Sequence, residues 1–227
     1  LYNIASEKQV DLVVGAKNLV YSDNEEIVYD ASKNKNVNLK INALTVYNKE
    51  NGVEKALFLT PSPHSKLYKT TLAKDIEFPH KVSFTDFLLY TVFLTKCQSF
   101  VYTDEALSYY LVDRPGNTMT DVKPKVFDYH ATVFKSTMEQ IENCQVKYMY
   151  SHMIDHLRYI LKEYKYMPDV IAKKDKKDQI YQLVKLCQKH RVAINRESAI
   201  FPSRVALYNK LMLNPIIGKI FFNRFVR

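Results

Sequence analysis

Asp86 is the residue whose type and position in this chain best suit proton transfer. It lies in the first turn of a helix predicted from about residue 84 to 96, with Ser83 as the N-cap. Unpaired backbone N–H groups and the positive end of the helix dipole keep such a carboxylate ionised. An ionised carboxylate in a fixed position can accept a hydroxyl proton while that oxygen attacks a carbon atom. The plainer interpretation, a favourable charge at a helix start, stays open on these grounds alone.

Cations precede and follow this aspartate along the chain. Lys66 and Lys69 flank Leu67 and Tyr68, and Arg114 lies in the loop after a tyrosine-rich segment. Ammonium and guanidinium groups at the rim of a site bind phosphate groups well. The alternative is an amphipathic helix start, with the lysines solvated and Leu67 in the core.

Histidines are the other candidate ligands. His64 stands between Pro63 and Ser65, a context typical of an exposed loop. His152 and His156 have the i, i+4 spacing that places two imidazoles on one helix face, as some zinc sites require. No glutamate follows His152 and no third ligand is evident, so we expect no metal there. Both lie off the apolar stripe, and we expect both to be exposed.

The first 120 residues predict an α/β fold, because segments rich in β-branched and aromatic residues alternate with a helical pattern. The predicted strands are Asp11–Gly15, Leu19–Tyr21, Ile27–Tyr29, Ser99–Thr103 and Ala106–Val112. A turn at Asp104 and Glu105 would separate the last two. Residues 31–53 are predicted as a loop, and a short helix is predicted at Lys66–Lys74.

Beyond Pro124 the pattern is helical throughout. Apolar residues three and four apart predict one helix from Val126 to Ile141 and a second from Val146 to Tyr164. A third is predicted through Ile180 and Cys187, followed by two short helices. No run of about 18 apolar residues occurs, so no membrane-spanning helix is predicted.

Charge is unevenly distributed along the 227 residues. The net charge is +9, of which residues 115–227 carry +10 and residues 1–114 carry −1. Such asymmetry favours an anionic partner for the second half, although a solvated helical face explains it equally well. The three cysteines are far apart and sit in apolar or helical contexts, which indicates buried thiols in a reducing, cytoplasmic compartment.

Four motifs follow one another between Ser65 and Met119. They are the run Ser65–Lys69, the pair Phe78-Pro79, the helix start Thr85-Asp86, and the strand Tyr102-x-Asp104-x-x-Leu107-x-x-Tyr110. This order resembles the acceptor-side half of bacterial family-2 glycosyltransferases, inverting enzymes of the GT-A class that build envelope polysaccharides. The resemblance covers roughly residues 5–140.

The resemblance implies a fold, a reaction and roles for particular residues. The fold would be a partial GT-A-like mixed sheet with flanking helices over residues 1–120, then a basic all-α extension over residues 121–227. Asp86 would be the general base, and Lys66, Tyr68 and Arg114 would bind substrate. The chain departs from the family pattern in three places: Thr85 replaces a glutamate beside the base, Lys69 replaces an arginine, and Pro63-His64-Ser65 stands where the family often has a tryptophan.

The resemblance also implies a missing half. Such enzymes begin with a nucleotide-binding βαβ region whose Asp-x-Asp cluster holds a divalent metal against the donor diphosphate. No such cluster or Gly-rich phosphate loop occurs here. We therefore expect a C-terminal fragment that contains no metal ligands and is inactive alone. The intact enzyme would use Mg²⁺ or Mn²⁺, a nucleoside-diphosphate-sugar donor and a glycan or lipid-linked acceptor.

A second hypothesis is a non-catalytic basic helical module. The segment 203–227 combines lysine and arginine with isoleucine and phenylalanine, a pattern typical of helices that lie on an anionic membrane surface. Packing of the same apolar residues onto the helical bundle competes with this hypothesis. Nucleic acid is disfavoured, because no docking motif is present. We expect a cytoplasmic protein, with a peripheral position at the inner face of the membrane left open.

Overall fold

The computed structural model describes residues 1–23, 25–32, 37–114 and 124–226. Contacts divide the chain into two compact units. Unit 1 comprises Leu1–Asn34, Leu39–Phe78 and Asp86–Asp121, and unit 2 comprises Lys35–Asn38, Pro79–Thr85 and Val122–Arg227. The mixed α/β fold followed by a helical region, as predicted from the sequence, is confirmed.

Unit 1 is built on a five-stranded sheet. Its elements, in chain order, are α1 (Tyr2–Lys8), β1 (Leu12–Val20), β2 (Glu26–Tyr29), β3 (Val46–Asn48), a 3₁₀ helix (Val53–Phe58), β4 (Lys66–Tyr68), α2 (Thr70–Ala73), α3 (Thr85–Lys96) and β5 (Ser99–Leu111). The strand order is β2-β1-β5-β3, and β4 also pairs with β1. The predicted strands at β1 and β2 are confirmed.

Strand β1 changes partner halfway along one edge. Its first half pairs with β4, with Val14 opposite Lys66, and its second half pairs with β2, with Lys17 opposite Tyr29. Gly15 lies at the change and donates its N–H to the Ser65 carbonyl at 2.7 Å. β4 and β2 therefore meet along this edge of β1, which brings Lys17 and Lys66 into one neighbourhood.

Two predicted elements around these strands were wrong. The predicted turn at Asp104 and Glu105 is a bulge inside one continuous strand: Gly15 of β1 lies opposite Thr103 and Ala16 opposite Ala106, which leaves both acidic residues without a partner in β1. The predicted helix over Lys66–Lys74 is instead the strand β4 followed by the four-residue α2. Pairing with β1 overrides the local preference there.

Helix α3 contributes many of the buried side chains of unit 1. Seven of its twelve residues are buried, so it presents apolar side chains over more than one stripe. They pack in a unit whose sheet contributes fully buried residues from both central strands: Leu12, Val13, Val14, Phe100, Val101 and Tyr102. The predicted helix at 84–96 is confirmed, and it begins at Thr85.

Unit 2 is helical. Its helices are α4 (Lys125–Gln140), α5 (Met149–Lys165), α6 (Val170–Lys189), α7 (Arg191–Arg196), a 3₁₀ helix (Ser198–Ile200), α8 (Ser203–Met212) and α9 (Gly218–Phe225). Asp169 caps α6 by accepting the Ala172 N–H at 2.9 Å. Lys176 and Gln179 of α6 both donate to the Asp128 carboxylate of α4, at 2.6 and 3.0 Å, which joins these two helices.

Helix α9 packs through its apolar arc. Phe222 is buried against Tyr181, with ring centroids 5.0 Å apart, and Phe225 lies 5.2 Å from the Tyr208 ring. The packing hypothesis for the apolar residues of the tail is thus correct for these two. No helix in the described ranges is both long and apolar enough to cross a membrane.

Replacing Gly218 by alanine is expected to destabilise unit 2. A Cβ atom at this position would lie 2.3 Å from the Met212 carbonyl oxygen, a backbone atom that cannot rotate away. Overpacking of this kind costs about 1–3 kcal/mol. Thermal unfolding of G218A should show a lowered Tm, whereas R224A, at an exposed position of the same helix, should not. Equal Tm values for G218A and the parent chain would contradict the close packing at Gly218.

Candidate active site

Asp86 lies in the first turn of α3 and is half-buried. Burial raises the pKa of its carboxyl above the ordinary value. Backbone N–H groups at Asp86 and Phe87, and then the charges of Lys66 and Lys17, oppose that rise in pKa. The raised pKa makes this carboxylate a stronger base than a solvated one, which is what proton abstraction from a hydroxyl group requires.

Lys66 stands on β4, and its ammonium group donates to the Ser62 carbonyl oxygen. The nitrogen lies 5.4 Å from the centroid of the Tyr90 ring. Burial, and next the charge of Lys17, lower the pKa of Lys66 to about 7, although Asp86 acts in the opposite direction. The charge of this lysine is therefore sensitive to pH in the neutral range.

Lys17 of β1 is buried, with 8% of its surface exposed. Its ammonium group donates to Ser62 Oγ at 2.9 Å and lies over two rings, 5.3 Å from the centroid of Tyr29 and 5.1 Å from that of Tyr110. Burial lowers its pKa, while Asp86 raises it. Both lysines thus contact the same residue, Ser62, and both act on the same carboxylate.

His64 completes this group. Its Nδ1 atom is 2.8 Å from Ser62 Oγ, and its ring packs 4.5 Å from the Tyr110 ring. The expectation of an exposed loop histidine was wrong: the side chain is partly buried, because the loop folds back onto β1 and β5. Burial and the charges of Lys17 and Lys66 lower its pKa, which favours the neutral ring. We call Lys17, Ser62, His64 and Lys66 the Ser62 cluster.

Tyr68 and Lys69, the other residues of the basic run, have different surroundings. Tyr68 packs edge-on against Phe93 at 5.1 Å, and burial, followed by the charge of Asp86, raises its pKa. Lys69 instead forms a 2.9 Å ion pair with the buried Asp11. The role of Lys69 is thus to compensate a buried charge within the fold.

Three of the four predicted site residues therefore lie in one electrostatic neighbourhood: Asp86, Lys66 and Tyr68. Arg114 is exposed, three residues after β5 and directly before a stretch outside the described residues. Its role as a substrate ligand stays a prediction. Sequence reasoning missed Lys17, although a lysine inside an otherwise mostly apolar strand was a signal that could have identified it.

No cluster of metal-binding side chains occurs in the part of the chain that the structure describes. No three or more histidine, cysteine, aspartate or glutamate side chains within it are arranged to hold an ion. Two acidic residues of unit 1 illustrate this: Asp11 is paired with Lys69, and the carboxylate of Asp86 interacts with lysines. The residues present therefore do not fit a divalent cation.

Unit 2 contains a cluster of buried and partly buried histidines, so the expectation that His152 and His156 are exposed was wrong. His152 is buried and His156 is partly buried, because α5 packs against several helices of unit 2. His130 of α4 is also buried, 4.2 Å from the Phe84 ring and 6.2 Å from His156. Burial lowers the pKa of His130 to about 4.

Acidification is expected to destabilise unit 2 through His130. The pKa of His130 falls from 6.5 in the unfolded chain to about 4 in the folded one. Between these pH values the unfolded chain binds a proton that the folded chain does not, so the free energy of unfolding decreases as pH falls from 6.5 towards 4. At pH 5 this histidine should cost roughly 2 kcal/mol relative to pH 7. In H130F, denaturant unfolding at the two pH values should show a smaller loss than in the parent chain.

H130F should also unfold no more easily than the parent chain at pH 7, because both ring nitrogens of His130 are buried and have no hydrogen-bond partner among the described residues. H80F, at an exposed histidine, is the control and should retain the full pH dependence. A pH dependence in H130F as steep as in the parent chain would contradict this account.

Comparison with known proteins gives the class of the fold. No protein-family profile matches the chain, and no curated protein matches its sequence. The chain is similar to the crystal structure of S. aureus TarS residues 1–349 in complex with UDP, with 15% sequence identity and a TM-score of 0.59. The match covers 99% of this chain and 59% of that TarS chain. The chain thus has a glycosyltransferase-like fold and spans about three fifths of the TarS structure.

Proposed function

We propose that this chain is the acceptor-side part of an inverting glycosyltransferase similar to family 2. The intact enzyme transfers a sugar from a nucleoside-diphosphate sugar to a cell-envelope glycan or a lipid-linked acceptor. The observation that carries the proposal is the half-buried Asp86 at the start of α3, with a raised pKa and two lysines near it, in a glycosyltransferase-like fold. Residues 1–120 form the acceptor-side part of the catalytic domain, and residues 121–227 form its basic helical extension.

The proposed step is a single displacement. An acceptor hydroxyl oxygen forms a bond to the anomeric carbon of the donor, and the bond from that carbon to the diphosphate oxygen breaks. The diphosphate leaves with the electron pair, and the acceptor proton passes to Asp86. Attack opposite the leaving group inverts the anomeric configuration. Asp86 takes up this proton in its ionised form. Backbone N–H groups at the start of α3 hold the carboxylate in place, and burial makes it a stronger base by raising its pKa.

Charge on the leaving diphosphate needs separate stabilisation. A bound Mg²⁺ or Mn²⁺ would supply it as a Lewis acid, and the resemblance assigns its ligands to a nucleotide-binding half outside this chain. The described residues do not form such a site. We therefore assign activity to the intact enzyme and propose that the 227 residues alone are inactive.

The test is the stereochemistry of transfer by the intact enzyme. The enzyme is incubated with a panel of nucleoside-diphosphate sugars, Mn²⁺ or Mg²⁺, and glycan and lipid-linked acceptors. The anomeric configuration of the product is then read by NMR. Transfer with inversion supports the proposal. Transfer with retention, or no transfer from any donor, contradicts it.

A second candidate function is attachment to an anionic membrane surface through the end of the chain. After α9 has packed its apolar arc, Ile216 and Ile220 remain exposed, at 85% and 65%, beside the exposed cations Lys219 and Arg224. Exposed isoleucines next to cations suit a membrane interface, where apolar side chains contact acyl chains and cations contact anionic headgroups.

Flotation with vesicles tests this candidate. The chain should float with phosphatidylglycerol vesicles and not with phosphatidylcholine vesicles. The double variant I216S/I220S should lose most of the floating fraction, whereas V192S, at an exposed valine of α7, should not. Equal flotation of parent and double variant, or none at low salt, would rule the candidate out.

A further inference from the structure

We propose that the Ser62 cluster is a binding subsite for a phosphate group next to Asp86. This inference rests on the proposed function and deepens it, because it assigns a ligand chemistry to Lys17, Ser62 and His64. The phosphate belongs to one of two sources: the donor diphosphate, or a phosphate ester on the acceptor. The shared chemistry is a phosphate oxygen that accepts hydrogen bonds from ammonium and imidazole groups.

The first argument is the balance of charge. Lys17 and Lys66 both affect the titration of Asp86, so two ammonium groups share one carboxylate. Within the described ranges, neither ammonium has a carboxylate oxygen at ion-pair distance. Burial of an uncompensated cation is costly, so an anion that joins the site would be bound favourably. One phosphate group supplies the missing negative charge.

The second argument is the direction of the hydrogen bonds around Ser62. An ammonium group can only donate, so the Ser62 hydroxyl accepts from Lys17 and is free to donate to His64 Nδ1. A neutral ring that accepts at Nδ1 carries its proton on Nε2, which leaves that N–H as a donor. Lys17 and Lys66 each use one donor on Ser62 and keep two others. The cluster is thus rich in donors, as a phosphate site requires.

The third argument is that the two lysines are held in place before any ligand binds. Lys17 lies between the rings of Tyr29 and Tyr110, and Lys66 lies over Tyr90. Contact with an aromatic face fixes a long side chain while it preserves the charge. Lys17 lies on β1, and Lys66 lies on β4 opposite Val14 of β1. The strand pairing therefore also fixes the separation of their backbone atoms. Less conformational entropy is then lost when an anion binds.

The position beside Asp86 gives the subsite a function in the reaction. A phosphate group close to a carboxylate base would, by repulsion, make the carboxylate harder to ionise. The charges of Lys17 and Lys66 offset that repulsion and keep Asp86 able to accept a proton. The subsite would therefore bind phosphate and keep the base in its anionic form.

The experiment measures phosphate binding separately from turnover. The intact enzyme and its variants K17Q, S62A and K49Q are titrated calorimetrically with inorganic phosphate, pyrophosphate and UDP at pH 6.5 and low salt. Lys49 is an exposed lysine of the same unit, so K49Q is the control. S62A is included because it removes the hydroxyl that Lys17 and His64 contact without removing a charge, while the backbone carbonyl that accepts from Lys66 remains. Circular dichroism selects the variants that are folded.

We expect K17Q to weaken binding of the phosphate probes about ten-fold to a hundred-fold, S62A to weaken it less, and K49Q to leave it unchanged. Initial rates then identify the source. A raised KM for the donor alone assigns the phosphate to the donor. A raised KM for a phosphate-bearing acceptor, with a neutral acceptor unaffected, assigns it to the acceptor.

Unchanged Kd and KM values in folded K17Q and S62A would overturn the subsite, even if the enzyme transfers sugar with inversion. Conversely, an enzyme that transfers no sugar but loses phosphate affinity in K17Q would retain the subsite and lose the proposed function. The two hypotheses therefore fail by different observations.

Discussion

Replacing Asp86 by asparagine in the intact enzyme is expected to lower kcat by about 10²–10⁴-fold, the range that a positioned general base contributes. Asparagine has nearly the same shape as aspartate but cannot take up the acceptor proton. The donor Kd should change little, because the proposed role of Asp86 is exerted only when the acceptor hydroxyl reacts. Steady-state rates and calorimetric donor binding, measured on the same preparation, separate these two effects.

Asp104 provides the matched control for this experiment. It is an exposed carboxylate in the bulge of β5, in the same unit as Asp86. D104N should retain the kcat of the parent enzyme, and both variants should unfold at similar temperatures. If D86N keeps more than about a tenth of the activity, proton abstraction belongs to another group.

The sequence was sufficient to predict helix α3, which carries Asp86, and the long helices of unit 2, since periodic apolar patterns depend on local spacing. The helix start at Thr85 fixes Asp86, and the helices of unit 2 follow the predicted pattern closely. Lys66 and Tyr68 were identified through a motif. Their position in the sheet is a consequence of the pairing of β4 with β1, which no local pattern contains.

Lys17 and His64 could not be assigned in the same way. Lys17 is buried because β1 lies inside the sheet with partners on both sides, and a strand's number of partners is a tertiary property. His64 is partly buried because its loop lies against Tyr110, 46 residues later in the chain. The same reason explains His152: the apolar stripe of α5 predicts one buried face, whereas several neighbouring helices bury more than one.

The charges of Lys17, Lys66 and Asp86 affect one another's pKa values. As a result, activity is expected to fall at both acid and alkaline pH. Asp86 must be ionised to accept a proton, and its pKa is raised by burial. Lys66 must be protonated to bind an anion, and its pKa is lowered to about 7. Each shift brings the pKa closer to neutrality, so the fully active form occupies a narrower range of pH than solvated side chains would allow.

A decrease is therefore expected on the alkaline side of kcat/KM, the parameter that reports the free enzyme. As pH rises through about 7, Lys66 loses its proton and kcat/KM should fall about ten-fold per pH unit. K66R should shift this alkaline limb upwards, because a guanidinium stays protonated. K66Q should be slow throughout and lack the limb.

Lys74 offers the control for these substitutions, since it is an exposed lysine of the same unit. K74R should reproduce the profile of the parent enzyme, with the acid limb that Asp86 sets present in both. An alkaline limb that stays at the same pH in K66R would assign that titration to another group. The identity of the titrating group matters because Lys66 can assist catalysis only while it is protonated and close to Asp86. Lys66 is held in the sheet by its pairing with Val14 beside the partner change in β1, and the effect of its charge on the pKa of Asp86 indicates that the two groups are close.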